Sequence, residues 1–107
     1  MRRRSKYGAK PTEVDGIRFH SKAEARRYEV LKLMLRSGEI DNLELQPSFD
    51  LHVKGIKIGR YIADFRYIDT RTGETVIEDV KGVRTDFYRW KKKHMKAEHG
   101  IDIYETK

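Results

Sequence analysis

Two aspartates and a lysine, Asp64, Asp79 and Lys81, lie on two runs of alternating residues joined by a turn at 69–73. A four-residue loop in this turn sets a register that places Asp64 directly opposite Asp79, with Cβ atoms about 5 Å apart. Because side chains alternate along a strand, Lys81 lies on the same face as Asp79. Opposed like charges destabilise a sheet unless something compensates them, and a divalent cation can do so. Hard carboxylate oxygens suit Mg²⁺, so the spacing predicts a metal site.

The alternative is a solvated face, on which Lys81 forms an ordinary surface ion pair with the aspartates. The residues around Asp79 are apolar on both sides, which favours a central strand over an exposed one. Lys81 and Gly82 end this strand, and sites of α/β proteins lie at such carboxyl ends. Glu78, one residue away, is expected to face the opposite side of the sheet.

Glu24 is a third candidate carboxylate, and two interpretations of it stay open. Ser21 followed three residues later by Glu24 is a capping box at the start of a helix. Glu24 also lines up with Tyr28, Leu31 and Leu35 at helical spacing. On that face, its carboxylate would reach a site over the sheet.

The elements that position these residues follow from caps, turns and periodicity. We predict a helix at 21–37, strands at 43–53, 56–68 and 74–81, a helix at 85–98 and a short strand at 101–104. The order is helix, three-strand meander, helix, strand. The predicted fold class is therefore α/β (α+β), with a central mixed sheet flanked by helices. Pro47 interrupts the first strand and indicates an edge or a bend, and Asp15-Gly16 indicates a small hairpin or an irregular lead-in.

Length and charge limit the function classes. The chain has 107 residues, with 24 Lys plus Arg against 17 Asp plus Glu and a net charge of +7. We predict a basic flexible arm at 1–12 and a single domain at 13–107. Without cysteine, disulfides, thiolate nucleophiles and cysteine-based zinc sites are excluded. The four histidines form no zinc motif, and no apolar run is long enough to span a membrane. We expect a cytoplasmic protein with a nucleic-acid partner.

Two basic segments are the candidate DNA-binding residues. The second helix alternates cations with aromatic residues, so it could follow a phosphate backbone while Tyr88 or Trp90 stacks on an exposed base. The alternative places Phe87 and Trp90 in the core, which we favour for Trp90. Neither segment has a base-reading motif, so recognition of shape and backbone is expected. The candidates are Arg2, Arg3, Arg4 and Lys6 in the arm, and Arg84, Arg89, Lys91, Lys92, Lys93 and Lys96 in the helix.

These residues resemble the PD-(D/E)xK nucleases. Ala63-Asp64 occupies the "PD" place and Asp79-Val80-Lys81 occupies "(D/E)xK". The chain is also similar to a small family of phage and prophage nucleases described as Holliday-junction-resolvase-like. That similarity extends over the segments Lys6-Tyr7-Gly8, Phe19-His20-Ser21-Lys22-Ala23-Glu24, Leu45-Gln46-Pro47, Tyr61-Ile62-Ala63-Asp64-Phe65 and Asp79-Val80-Lys81-Gly82. Ala63 departs from the proline of the superfamily's name.

The resemblance implies a restriction-endonuclease-like core and a role for each matched residue. Asp64 and Asp79 would bind Mg²⁺ or Mn²⁺, with the Val80 carbonyl as a further ligand. Lys81 would orient or activate the attacking water, Glu24 would be an auxiliary acid at the metal, and Gln46 would lie beside the site.

The resemblance further implies a metal-dependent endonuclease that resolves branched DNA as a homodimer, beside other phage DNA-processing proteins in the host cytoplasm. A nicking nuclease is one alternative. A non-catalytic small basic nucleic-acid-binding protein is another, and the charge fits it equally well.

Overall fold

The computed structural model describes residues 11–107, which form two helices and eight strands. The helices are α1 (Lys22–Arg36) and α2 (Asp86–His99). The strands are β1 (Thr12–Val14), β2 (Ile17–Phe19), β3 (Ile40–Leu45), β4 (Ser48–Val53), β5 (Ile56–Ile62), β6 (Phe65–Asp69), β7 (Thr75–Val80) and β8 (Tyr104–Thr106).

A four-stranded mixed sheet in the order β3-β6-β7-β8 forms the centre of the fold. The first three strands are antiparallel to their neighbours, and β8 runs parallel to β7 after the crossover through α2. The fold is therefore α+β, as the sequence predicted. The predicted register is also confirmed, because Phe65 pairs with Glu78 and the Asp64 N–H donates to the Glu78 carbonyl at 3.1 Å. Asp64 itself precedes the paired residues and lies beside the end of β7, next to Asp79.

The first two strands of the meander are each broken in two, which corrects the prediction of continuous strands at 43–53 and 56–68. The first divides at Gln46 and Pro47, where Gln46 has φ 53°. The second divides at Ala63 and Asp64. Beyond these breaks, β4 and β5 form a separate two-stranded sheet. The bend expected at Pro47 is thus present, and the matching break places Asp64 outside regular strand structure.

Local sequence signals explain the ends of most elements. The Ser21 side chain caps α1 by accepting the Glu24 N–H at 3.1 Å, and Thr85 caps α2 in the same way. Gly100 ends α2 in the left-handed conformation that glycine favours. The Asp15-Gly16 hairpin is present between β1 and β2, with positive φ at both turn residues. The last strand begins at Tyr104, so the strand predicted at 101–104 is displaced toward the C-terminus.

Buried side chains form one cluster on each face of the central sheet. Along β7, Val76 packs against one cluster and Ile77 belongs to the other, as alternation requires. The α1 cluster consists of Phe19, Ala25, Tyr28, Leu31, Ile40, Phe65 and Tyr67. The α2 cluster consists of Leu51, Tyr61, Ala63, Ile77, Tyr88, Met95 and Ile103. The sheet therefore lies between the two helices, and β7 is a central strand.

The arm residues Arg2, Arg3, Arg4 and Lys6 lie outside the described residues. Thr12, the last residue of the predicted arm, belongs to β1. Neither helix in 11–107 is long and apolar enough to cross a membrane.

Candidate active site

Three acidic side chains from three separate elements meet at one end of β7. Glu24 comes from the first turn of α1, Asp64 from the break between β5 and β6, and Asp79 from β7. Glu24 is 4% exposed and Asp79 is 2% exposed. The Asp64 and Asp79 carboxylates both raise the pKa of Glu24, so the three charges interact directly. The sequence-predicted acids are thus brought together.

A backbone hydrogen bond fixes the orientation of Asp64. Its Oδ2 accepts the Val80 N–H at 2.7 Å, and its own carbonyl accepts the Gln46 N–H at 2.9 Å. Both breaks of the meander therefore meet at Asp64, which turns its side chain toward the end of β7. Burial raises the pKa of Asp64, while the Val80 N–H and the Lys81 charge oppose that shift.

Two carboxylate oxygens in this cluster are buried without a hydrogen-bond partner among the described residues, Glu24 Oε1 and Asp79 Oδ2. Burial raises the pKa of Glu24 to about 7, and Asp64 adds to the shift. Burial also raises the pKa of Asp79 to about 6, against the opposing effect of Lys81. Carboxylate oxygens buried without hydrogen bonds are costly, and the Lys81 ammonium is near only one of these two, so a further positive charge would stabilise the cluster.

Lys81 lies between the acids and an aromatic ring. Its Nζ is 3.7 Å from Asp79 Oδ2 and 4.2 Å from the ring centroid of Tyr88 on α2. The Tyr88 hydroxyl donates to Glu105 Oε2 at 2.7 Å, which holds the ring in place. Tyr88 thereby positions the ammonium beside the carboxylates. Sequence reasoning missed this role. The available signal was that Tyr88 and Met95 fall on the same face of α2, which is the inner one.

A buried ion pair holds α1 against the sheet directly behind the acids. Glu78 is 0% exposed and accepts from Arg27 Nε at 2.7 Å and from Arg27 Nη2 at 3.0 Å. Arg27 follows Glu24 by one helical turn, so this contact sets the position of Glu24. The prediction that Glu78 faces away from Asp79 is confirmed. The ion pair itself was not predicted, because nothing local links residues 51 positions apart.

The other predicted site residues contribute less side-chain contact. The Gln46 side chain is exposed, and Gln46 contacts the site through its backbone N–H. Val80 is a half-buried residue whose N–H binds Asp64. His20 Nδ1 lies 3.8 Å from Glu24 Oε2, with the imidazole largely exposed.

The donor set of this cluster fits a hard divalent cation chemically. Carboxylate oxygens are the ligands that Mg²⁺ and Mn²⁺ prefer, and two of these oxygens lack partners. Within residues 11–107, no three acidic or histidine side chains are already spaced as ligands of one ion. Binding a cation would therefore require these side chains to move, or water and substrate oxygens to complete the shell.

Residues 4–105 match the family described as "Protein of unknown function (DUF1064)". The chain belongs to the DUF1064 family. No curated protein and no solved structure matches it. The range matched to DUF1064 contains Glu24, Asp64, Asp79 and Lys81.

Most basic residues of α2 in this DUF1064 member line a groove of about 450 Å³, and they are Arg89, Lys92, Lys93 and Lys96 but not Lys91. Tyr88 belongs to both the groove and the Lys81 contact. Several cations of the groove have acidic partners: Arg84 and Lys92 pair with Glu105, Arg89 with Asp86, and Lys96 with Asp102. The predicted basic surface is thus present, and internal ion pairs partly neutralise it.

The expectation that Trp90 belongs to the core is wrong, and the alternative that also placed Phe87 there is not met. Phe87 is 65% exposed and Trp90 is 46% exposed, whereas Tyr88 is buried. Tyr88 and Met95 form the inner face of α2, so the neighbouring aromatic residues point outward.

Proposed function

We propose that this DUF1064 chain is a metal-dependent DNA endonuclease of the PD-(D/E)xK type, built on a restriction-endonuclease-like core. The observation that carries the proposal is the convergence of Glu24, Asp64 and Asp79, with Lys81 beside them, at the end of a central strand. A protein that only binds nucleic acid gains nothing from gathering three carboxylates, two of them buried, where phosphate must approach. A phosphodiesterase needs such a cluster to hold its metal.

Each residue has a role in this proposal that its surroundings support. Asp64 and Asp79 hold Mg²⁺ or Mn²⁺, and the Val80 carbonyl is a further ligand. When bound, the cation supplies Lewis-acid polarisation of the scissile phosphate. Lys81, supported by the Tyr88 ring, orients the attacking water and stabilises negative charge on the phosphate. Glu24 is an auxiliary acidic residue at the metal, since its carboxylate lies buried beside Asp64 and Asp79.

The substrate in this proposal is DNA held mainly through its backbone. The groove cations of α2 supply phosphate contacts, and the net charge of +7 favours a polyanion. Structure-selective cleavage of branched DNA, including Holliday junctions, is the favoured activity, and nicking is the alternative. Symmetric cutting of a junction requires two active sites, so we propose a homodimer, acting with other phage DNA-processing proteins in the host cytoplasm.

The test is incubation of the protein with linear duplex, flapped and four-way-junction DNA, in Mg²⁺ or in EDTA. Cleavage in Mg²⁺ alone is expected, with the branched substrates cut fastest. Lys81→Ala should lose cleavage while remaining folded, and Lys32→Ala on the outer part of α1 is the matched control. Binding of these DNAs without cleavage under any condition would instead indicate a non-catalytic nucleic-acid-binding protein.

A further inference from the structure

Helix α2 carries an exposed aromatic pair that the proposed active site does not use. The rings of Phe87 and Trp90 are stacked, with centroids 6.2 Å apart and planes at 26°. Phe87 is 65% exposed and Trp90 is 46% exposed. Burying a large aromatic side chain is strongly favourable. Two neighbouring aromatic rings that stay exposed therefore indicate a binding surface.

The surroundings of this pair are cationic. Lys91 Nζ lies 4.5 Å from the Phe87 ring centroid and donates to the Arg60 carbonyl of β5 at 3.1 Å. The His94 ring contacts Trp90 in a tilted arrangement, with centroids 5.4 Å apart and planes at 48°. These four side chains, Phe87, Trp90, Lys91 and His94, share one face of α2, which we name the aromatic face. Its aromatic rings and its lysine together match the surfaces on which nucleic-acid bases stack.

We propose that the aromatic face stacks unpaired DNA bases, so that the protein prefers single-stranded or unstacked segments over continuous duplex. Every base presents a flat ring to an aromatic side chain, whereas a base inside a duplex is already stacked on its neighbours. The face lies on the same helix as Tyr88, which supports Lys81. A strand held on this face would therefore leave the duplex close to the candidate active site. The inference deepens the proposed function by naming its substrate class, and it rests on that function for the choice of DNA.

A second copy of the chain is the competing occupant, because aromatic residues are also common in protein interfaces. Charge disfavours it. The face carries Lys91 beside the rings, so two copies joined through this face would bring their lysines together. The same charges attract a polyanion. Charge complementarity therefore selects DNA as the occupant.

Trp90 is the only tryptophan of the chain, so its fluorescence reports directly on the aromatic face. The experiment titrates the protein with a thymidine oligonucleotide or with blunt duplex DNA, in EDTA to prevent cleavage. We expect the single strand to quench Trp90 and to bind more tightly than the duplex. No quenching by the single strand, or tighter binding of the duplex, would overturn the inference.

Alanine variants give the second measurement, by anisotropy of labelled single-stranded DNA. Phe87→Ala and Trp90→Ala should each weaken binding by roughly 5- to 160-fold, the range for loss of one stacked base. Trp90→Phe should retain most of the affinity, and Tyr104→Ala, an equally exposed aromatic residue on β8, is the control. Unchanged affinity of both alanine variants, or a change in oligomeric state alone, would contradict the inference.

Failure of the inference and failure of the proposed function give different results. If wild-type protein cleaves DNA in Mg²⁺ and the alanine variants bind single strands normally, the aromatic face is not a base-stacking site and the nuclease proposal stands. If single strands bind through Phe87 and Trp90 but nothing is cleaved, the nuclease proposal fails and the stacking site stands.

Discussion

Replacing Glu78 with glutamine tests how strongly the ion pair behind the candidate active site stabilises the fold. The Glu78 carboxylate accepts two hydrogen bonds from Arg27, one from Tyr67 at 2.6 Å and one from Thr106 at 3.0 Å. Glutamine keeps the volume, removes the charge and replaces one acceptor with a donor. It therefore leaves the Arg27 guanidinium, whose side chain is 21% exposed, without its counter-ion.

The expected cost follows from the burial of this pair. Removing one partner of a buried ion pair destabilises a protein by about 3–5 kcal/mol, because an uncompensated charge stays behind. A domain of this size has a free energy of unfolding of about 5–15 kcal/mol, so Glu78→Gln would remove a large part of it. At about 4 °C per kcal/mol, the melting temperature should fall by about 12–20 °C.

Urea unfolding, followed by circular dichroism, measures the change in the free energy of unfolding. If the slope of this free energy against urea concentration is unchanged, the substitution has changed stability. The matched control is Glu44→Gln, since Glu44 forms a similar two-bond pair with Arg66 at the surface. We expect little change there, because solvent screens exposed pairs. The double variant Arg27→Met/Glu78→Gln removes both charges, keeps an acceptor for the Tyr67 hydroxyl and should be more stable than Glu78→Gln. A loss below about 1 kcal/mol in Glu78→Gln, or a double variant less stable than Glu78→Gln, would refute the reasoning.

Three further predictions follow from the same structure. Asp64→Asn should weaken Mn²⁺ binding in a calorimetric titration, and unchanged affinity would remove Asp64 as a ligand. Tyr88→Leu removes the ring over Lys81 and should slow the cleavage step, whereas Tyr88→Phe keeps the ring, loses only its bond to Glu105 and should cleave at an intermediate rate; equal rates in the wild type and Tyr88→Leu would contradict the positioning role. The His52 N–H and the His52 and His94 imidazoles lower the pKa of Glu98 to about 2. Glu98 therefore stabilises the fold above its unfolded pKa of about 4.5, and that stability is lost as the pH falls toward 2. Glu98→Gln should flatten the fall in melting temperature over this window, and an unchanged pH profile would contradict the assignment.

The sequence predicted the parts of the fold that local chemistry determines. The turn at 69–73 sets the register of β6 and β7, so the pairing from Phe65 with Glu78 to Ile68 with Thr75 could be worked out from loop length alone. Ser21 and Thr85 identified both helix starts for the same reason. These signals depend on neighbouring residues, which is why they needed no tertiary information.

The breaks in the meander could not be predicted from alternation. Tyr61, Ala63, Phe65 and Tyr67 are all buried, as a single continuous strand would require. Yet Tyr61 and Ala63 belong to the α2 cluster, and Phe65 and Tyr67 belong to the α1 cluster. Alternation with a period of two indicates which residues of a strand are buried, but not whether they join the α1 cluster or the α2 cluster.

At the candidate active site, the sequence identified the acids but not their supports. The sequence allowed two interpretations of Glu24, as part of a helix cap or as a site residue. The structure combines them, because the Glu24 N–H donates to Ser21 while its carboxylate joins the acidic cluster. Arg27 and Tyr88 meet their partners only through tertiary packing. Trp90 was assigned to the core on hydrophobicity, although Tyr88 and Met95 already fill the inner face of α2.

The measurement that tests the central claim most directly is the single-turnover rate of DNA cleavage in Mg²⁺ by wild-type protein and by Asp79→Ala. The account predicts cleavage by the wild type, and a loss of more than about 100-fold in the variant, because the metal supplies several kcal/mol of transition-state stabilisation. Asp41→Ala, which removes an exposed aspartate from β3, should cleave at the wild-type rate. Wild-type cleavage rates in Asp79→Ala would contradict the account.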